Sequence, residues 1–153
     1  MPRSIASVVV REAPLLRSDQ DVGSAVGEVV SSGLPALPVV EDGGKLAGIF
    51  GEREFMEAIF PAYVKGLSGS AFVPRSVESV LEKRQTCRAE PISQHMNTER
   101  IRVGSDFSDL QLAENFIHHR VLIIPVVDEA KQVVGLVTRS DFFAALAERF
   151  LGR

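Results

Sequence analysis

Thr138 and Asp141 are the residues whose types and spacing most directly suggest chemistry. They lie in Gly135-Leu136-Val137-Thr138-Arg139-Ser140-Asp141, after an apolar run at 121–127 and ahead of a helical pattern at 142–151. The stretch reads as a strand end, a tight turn and a helix start. A helix start offers unpaired N–H groups and the positive end of the helix dipole, so a hydroxyl and a carboxylate there can serve a ligand. The same pair is also a capping pattern, because an acid at the third helical position can bond back to the cap residue. Both roles can coexist. An earlier stretch, Gly48-Ile49-Phe50-Gly51-Glu52-Arg53-Glu54, has the same layout with altered chemistry.

The elements that position these turns follow from an internal repeat. Leu37-Pro38-Val39-Val40 recurs as Ile124-Pro125-Val126-Val127, and Pro38 and Pro125 are 125 − 38 = 87 residues apart. Gly48 and Gly135, Phe55 and Phe142, and the acidic pairs Glu41-Asp42 and Asp128-Glu129 keep that offset. The pattern is a duplication of two units, not a long solenoid.

Each unit begins with an extended segment, at 13–17 and 100–103. Ser18-Asp19 and Ser105-Asp106 follow as helix starts, since these side chains accept from free backbone N–H groups. The first helix of unit one should bury Val22, Ala25, Val26, Val29 and Val30. Its counterpart should bury Leu110, Leu112, Ala113, Phe116 and Ile117, less cleanly. Valine is a mediocre helix former, so tertiary packing must hold the first helix. Strands are expected at 36–40 and 46–50, joined by Asp42-Gly43-Gly44, and at 122–127 and 133–137. Closing helices are expected at 52–60 and 140–151. The order β-α-β-β-α, twice, defines an α+β architecture. Each unit alone would bury too little surface, so the two must share a core.

These boundaries divide the chain into 1–60, a connector at 61–93, and 94–153. The connector carries a surface helix at 75–84, from the spacing of Val77, Val80 and Leu81. Gly66-Leu67-Ser68-Gly69-Ser70 reads as a flexible turn and lacks the final glycine of a hydrolase elbow.

Composition excludes several classes. The 153 residues are 45% hydrophobic and 24% charged, a globular composition. A net charge of −3 gives no bulk attraction to nucleic acid or anionic lipid. No apolar run reaches the roughly 20 residues that span a bilayer. Residues 1–10 are too short and polar for a signal peptide. Cys87 is the single cysteine, which excludes an internal disulfide. A cytoplasmic location fits.

Other candidates have plainer readings. His118 and His119 point about 100° apart on a helix and cannot easily share one ion. Cys87 sits in the polar connector with no apparent ligand partner and reads as an ordinary thiol. Asp42-Gly43-Gly44-Lys45 lacks the rest of a phosphate-binding loop. No nucleophile–base–acid set stands out, so a non-enzyme is expected. Phe55, Met56, Ile59 and Phe60, with Phe142, Phe143, Leu146 and Phe150, put apolar surface on more than one side of the closing helices. That surplus predicts a further interface, read as a homodimer.

On Ala36-Leu37-Pro38-Val39-Val40-Glu41-Asp42 with Gly48-Ile49, and Ile124-Pro125-Val126-Val127-Asp128-Glu129 with residues 135–141, the chain resembles a tandem pair of CBS domains, a Bateman module. The resemblance implies two β-α-β-β-α repeats packed as a pseudo-two-fold pair with two clefts, commonly dimerising into a flat disc. It also implies a regulatory ligand, an adenosyl compound such as AMP, ADP, ATP or S-adenosylmethionine, with no cofactor required and an effector protein still to be named. The family motif Gly-hydrophobic-x-Thr/Ser-x-x-Asp is complete in unit two. By that resemblance Asp141 would hold the ribose hydroxyls and Thr138 the phosphate, with Ser140 between them. The base would sit among Pro14, Leu34, Pro35 and Ala36, with Leu136 and Val137 nearby. In unit one Gly51 replaces the hydroxyl residue and Glu54 the aspartate, which implies a second site that is empty, weak or suited to a ligand without a phosphate. The alternative is an interaction scaffold with vestigial clefts.

Overall fold

The computed structural model describes residues 9–60 and 76–153. The expected turn at 66–70 lies outside the described residues, as does the first residue of the expected connector helix.

Unit one runs β1 (Leu16–Arg17), α1 (Val22–Ser32), β2 (Ala36–Val40), β3 (Leu46–Gly51) and α2 (Glu52–Ile59). A connector helix, α3 (Val77–Lys83), follows, then two 3-10 turns, Gln85–Ala89 and Ile92–Gln94. Unit two repeats the order: β4 (Val103–Gly104), α4 (Asp109–His118), β5 (Ile123–Val127), β6 (Val133–Thr138) and α5 (Arg139–Phe150). Each unit holds a three-stranded sheet, in orders β1-β2-β3 and β4-β5-β6, with the first pair parallel and the second antiparallel. Register shifts fall at Val39/Val40 and Val126/Val127, again 87 residues apart.

The sheets are joined by exchanged segments. Arg11 of unit one bridges Leu136 of unit two, and Asn97 of unit two bridges Ile49 of unit one. A third bridge, Lys45 to Gln132, joins the two hairpins at equivalent positions, as an approximate two-fold axis requires. These exchanges explain the repeated glycines. A Cβ on Gly48 would stand 2.2 Å from the Asn97 carbonyl oxygen, and one on Gly135 2.8 Å from that of Arg11. They also explain why proline is tolerated inside a three-stranded sheet. Ile49 directs both its N–H and its C=O to Asn97, so the Pro38–Ile49 pair is not hydrogen-bonded. The missing N–H of Pro38 therefore removes nothing from the β2–β3 ladder. Pro125 opposite Leu136, whose backbone pairs with Arg11, repeats the device.

The core runs through both units, with Leu16, Leu37, Phe50, Leu112, Ile124 and Leu136 fully buried. Several expectations shift. The helix caps are Asp21 and Ser108, not Ser18-Asp19 and Ser105-Asp106. Ser18 instead gives its N–H to Val40, and the Ser105 hydroxyl bonds the Val127 carbonyl, so both serine pairs prolong the strand pairing before the helix can begin. β1 and β4 shrink to two residues each. Val22, Ala25 and Val29 are buried on α1, but Val30 lies past the edge of the buried stripe and is exposed. On α4 only Leu112 is fully buried; Leu110 and Ile117, one heptad apart, face outward together. The expected apolar surplus narrows too: Ile59 and Phe142 enter the core, while Met56, Phe143, Leu146 and Phe150 stay exposed.

The connector is laced to unit one. Val22 N–H donates to Glu90, Ile92 N–H to Gln20 and Ser93 N–H to Ser18. Ser76 caps α3 by accepting from the Ser79 N–H. Among the described residues, no helix is long and apolar enough to cross a membrane.

Candidate functional site

β6 ends at Thr138 and α5 starts at Arg139, so the motif residues Leu136, Val137, Thr138, Ser140 and Asp141 fall on one strand–helix junction. Thr138 is the helix cap: its hydroxyl accepts the Asp141 N–H at 3.0 Å. The Arg139 N–H donates to Leu122 and Thr138 pairs with Ile123, which fixes the turn against β5. The capping reading of Thr138 is therefore correct for its hydroxyl. Asp141 does something else with its carboxylate. Arg11 grips it with both sides of its fork, Nε to Oδ2 at 2.6 Å and a terminal nitrogen to Oδ1 at 2.9 Å. Arg11 pushes the Asp141 pKa down; partial burial works against this, and the nearby Thr138 hydroxyl adds to it. Asp141 thus stays ionised at a helix start. A cavity of about 350 Å³ opens beside it, lined by Val9, Val10, Arg11, Ala144, Ala145 and Glu148.

Arg11 was not among the sequence candidates. It lies 130 residues from Asp141, and only the exchange of the N-terminal segment onto β6 brings the two together. The residues expected around the base lie at two places in unit one. Ala36 pairs with Gly51, and Pro35 accepts from the Glu52 N–H, so Leu34, Pro35 and Ala36 pack at the turn of their own unit. The equivalent positions at Thr138 are Leu122 and Ile123. Pro14 is exposed.

The unit-one turn departs from that of unit two for visible reasons. A Cβ on Gly51 would lie 2.3 Å from the Pro35 carbonyl oxygen and 2.4 Å from Ala36 atoms, so the backbone has closed over the space a threonine would need. Glu54 is buried, only 5% exposed. Burial raises its pKa, and bonds from the Glu54 and Gly51 backbone N–H groups pull the other way. With glycine at the cap position, the start of α2 has no side-chain cap of the kind Thr138 gives α5. A cavity of about 520 Å³ borders this turn, with Arg53, His118, His119 and Arg120 on its walls. The two histidines thus line a cleft together.

His95 also lines that cleft, and its other neighbour corrects the reading of Cys87. The thiol is not isolated: His95 Nε2 stands 3.8 Å from Cys87 Sγ and 2.9 Å from Glu90 Oε1. Eight residues separate Cys87 from His95, and the two 3-10 turns fold that interval back on itself.

Fold and site define a class: two interlocked β-α-β-β-α units with a cleft at each strand–helix turn. The CBS domain pattern matches residues 5–61 and 92–148, and the chain belongs to the CBS domain family. A CBS domain-containing protein of Dictyostelium discoideum is 29% identical over 84% of this chain and 80% of its own. An inosine-5'-monophosphate dehydrogenase of Methanocaldococcus jannaschii is 24% identical over 88% of this chain, which spans only 22% of that enzyme. Among solved structures, CBSX2 in complex with AMP superposes with a TM-score of 0.68 at 15% identity, covering 99% of this chain and 100% of that one.

Proposed function

We propose that the chain is a regulatory module that binds an adenosyl nucleotide, AMP-, ADP- or ATP-like or S-adenosylmethionine, at the Thr138–Asp141 turn and relays occupancy to a partner protein. The observation that carries this is the Asp141 carboxylate, ionised at a helix start and facing a cavity of about 350 Å³. Small-ligand pockets begin at roughly 300 Å³. A carboxylate accepts from two ribose hydroxyls at once, and such charge-assisted bonds are strong. The ribose takes the place of the Arg11 fork. Arg11, released but tethered by its backbone pairing with Leu136, then meets the ligand phosphate at the positive end of the α5 dipole. Glu148 on the same wall is engaged by Arg153 at 3.6 Å, which lessens its repulsion of phosphate. The AMP bound by the structural relative CBSX2 supports the ligand class. The module itself performs no catalysis in this reading. Its second copy docks on the exposed stripe of α5.

A second reading has its own observation. Arg11 already satisfies Asp141, so a scaffold with permanently closed clefts is chemically complete. Calorimetric titration of the full chain with AMP, ATP, S-adenosylmethionine and NADH separates the two. Saturable binding at one main site per chain, with the ligand recovered unchanged, is the expected result. If none of these ligands binds, the regulatory reading falls and the scaffold stands.

A further inference from the structure

Cys87, Glu90 and His95 are held on two consecutive 3-10 turns by their own backbone. Cys87 N–H donates to Arg84, Glu90 N–H to Cys87 and His95 N–H to Ile92. The Glu90 carbonyl is tied to the start of α1 through Val22, and Ile92 between the turns is fully buried. The three ligand atoms, Sγ, a carboxylate oxygen and an imidazole nitrogen, lie within 4.8 Å of one another, and no other such group occurs among the described residues.

The arrangement is convergent, not serial. In a thiol–imidazole–carboxylate relay the two ring nitrogens divide the work, one toward the thiol and one toward the acid. Here Nε2 faces both Sγ and Oε1. Three different donors aimed at one point fit a shared cation.

We propose that Cys87, Glu90 and His95 form a binding site for one divalent transition ion of the zinc class. Tetrahedral zinc with ordinary bond lengths puts sulfur and nitrogen ligands about 3.6 Å apart, and nitrogen and oxygen ligands about 3.4 Å apart. The observed 3.8 and 2.9 Å need only small side-chain adjustments. Mixed sulfur, imidazole and carboxylate donors favour zinc over magnesium or calcium. Three protein ligands leave the fourth position to water. Glu90 and His95 are partly exposed and give the ion entry, whereas Cys87 is 1% exposed. Binding would release the Cys87 proton, so the thiolate and the Glu90 carboxylate together would present an anionic ligand set to the cation. The ion would pin the connector to the start of α1 and to the His95 wall of the unit-one cleft.

The test is titration of the chelator-stripped, reduced full chain with cobalt(II), followed by displacement with zinc. We expect one equivalent per chain and a thiolate-to-cobalt charge-transfer band. Cys87 is the only cysteine, so the band has a single source. Cys87→Ser should abolish it, and Glu90→Gln and His95→Ala should each weaken binding at least about tenfold. A folded parent without the band overturns the site. So does a folded Glu90→Gln or His95→Ala that binds as tightly as the parent. The parent spectrum decides the matter even if a variant fails to fold.

Discussion

Arg11 and Asp141, 130 residues apart in sequence, meet through a two-pronged ion pair at 2.6 and 2.9 Å. The arginine stands on the carboxylate that the ribose is proposed to occupy, so the two compete. Asp141→Ala should weaken AMP binding about ten- to a hundred-fold, the loss of hydrogen bonds to a charged acceptor. Arg11→Ala should act in opposite directions on two ligands: adenosine, with no phosphate, should bind more tightly, and ATP more weakly. Equal effects of Arg11→Ala on both ligands would contradict the exchange. Calorimetry reads both.

Thr138→Ala should cost about 0.5–2 kcal/mol of stability, because the hydroxyl is the helix cap. It should also weaken phosphorylated ligands more than adenosine. Thermal unfolding and titration well below the melting temperature separate the two effects.

Glu54 predicts a pH dependence. Burial raises its folded pKa above the unfolded value. In the window from about pH 4.3 up to the folded value the native state holds the proton more firmly, so stability falls as pH rises through that window. Glu54→Gln should therefore stabilise the protein at pH 7, with the gain vanishing toward pH 4. An unchanged melting temperature across this range would refute the assignment. Asp141 has the opposite sign: its depressed pKa adds stability above about pH 4, lost as pH falls through the folded value.

The glycines rank themselves by what a methyl group would meet. Gly48→Ala should destabilise more than Gly135→Ala, each by roughly 1–3 kcal/mol, since the added carbon strikes backbone at 2.2 and 2.8 Å respectively. Gly27→Ala in α1 meets nothing within 4 Å and should stabilise by about 0.5–1 kcal/mol. Chemical denaturation measures all three.

Phe143, Leu146 and Phe150 follow one another at i, i+3 and i+7 on the outer face of α5, and Phe150 is 90% exposed. Sedimentation should find a dimer at micromolar concentration, and Phe143→Asp with Phe150→Asp should return it to a monomer. A monomeric parent would remove the proposed interface.

The sequence by itself determined the duplication, the strand and helix order, and the Thr138–Asp141 turn. All of these are written in local patterns: alternating and helical apolar spacing, a diglycine hairpin, and a fixed offset of 87 residues. Tertiary structure decided what those patterns touch. Exchange of the segments around Arg11 and Asn97 closes each sheet with chain from the other unit, and no local signal encodes a partner 130 residues away. That exchange set Arg11 on Asp141 and imposed the bare backbones at Gly48 and Gly135. Gly51 and Glu54 read in sequence as a degraded copy of the motif. Packing against Pro35 and Ala36 leaves no room for a threonine at Gly51, and Glu54 is buried against the start of its own helix. Cys87 looked isolated for the same reason: His95 reaches it only after two 3-10 turns fold the chain back, and short turns leave no periodicity to read.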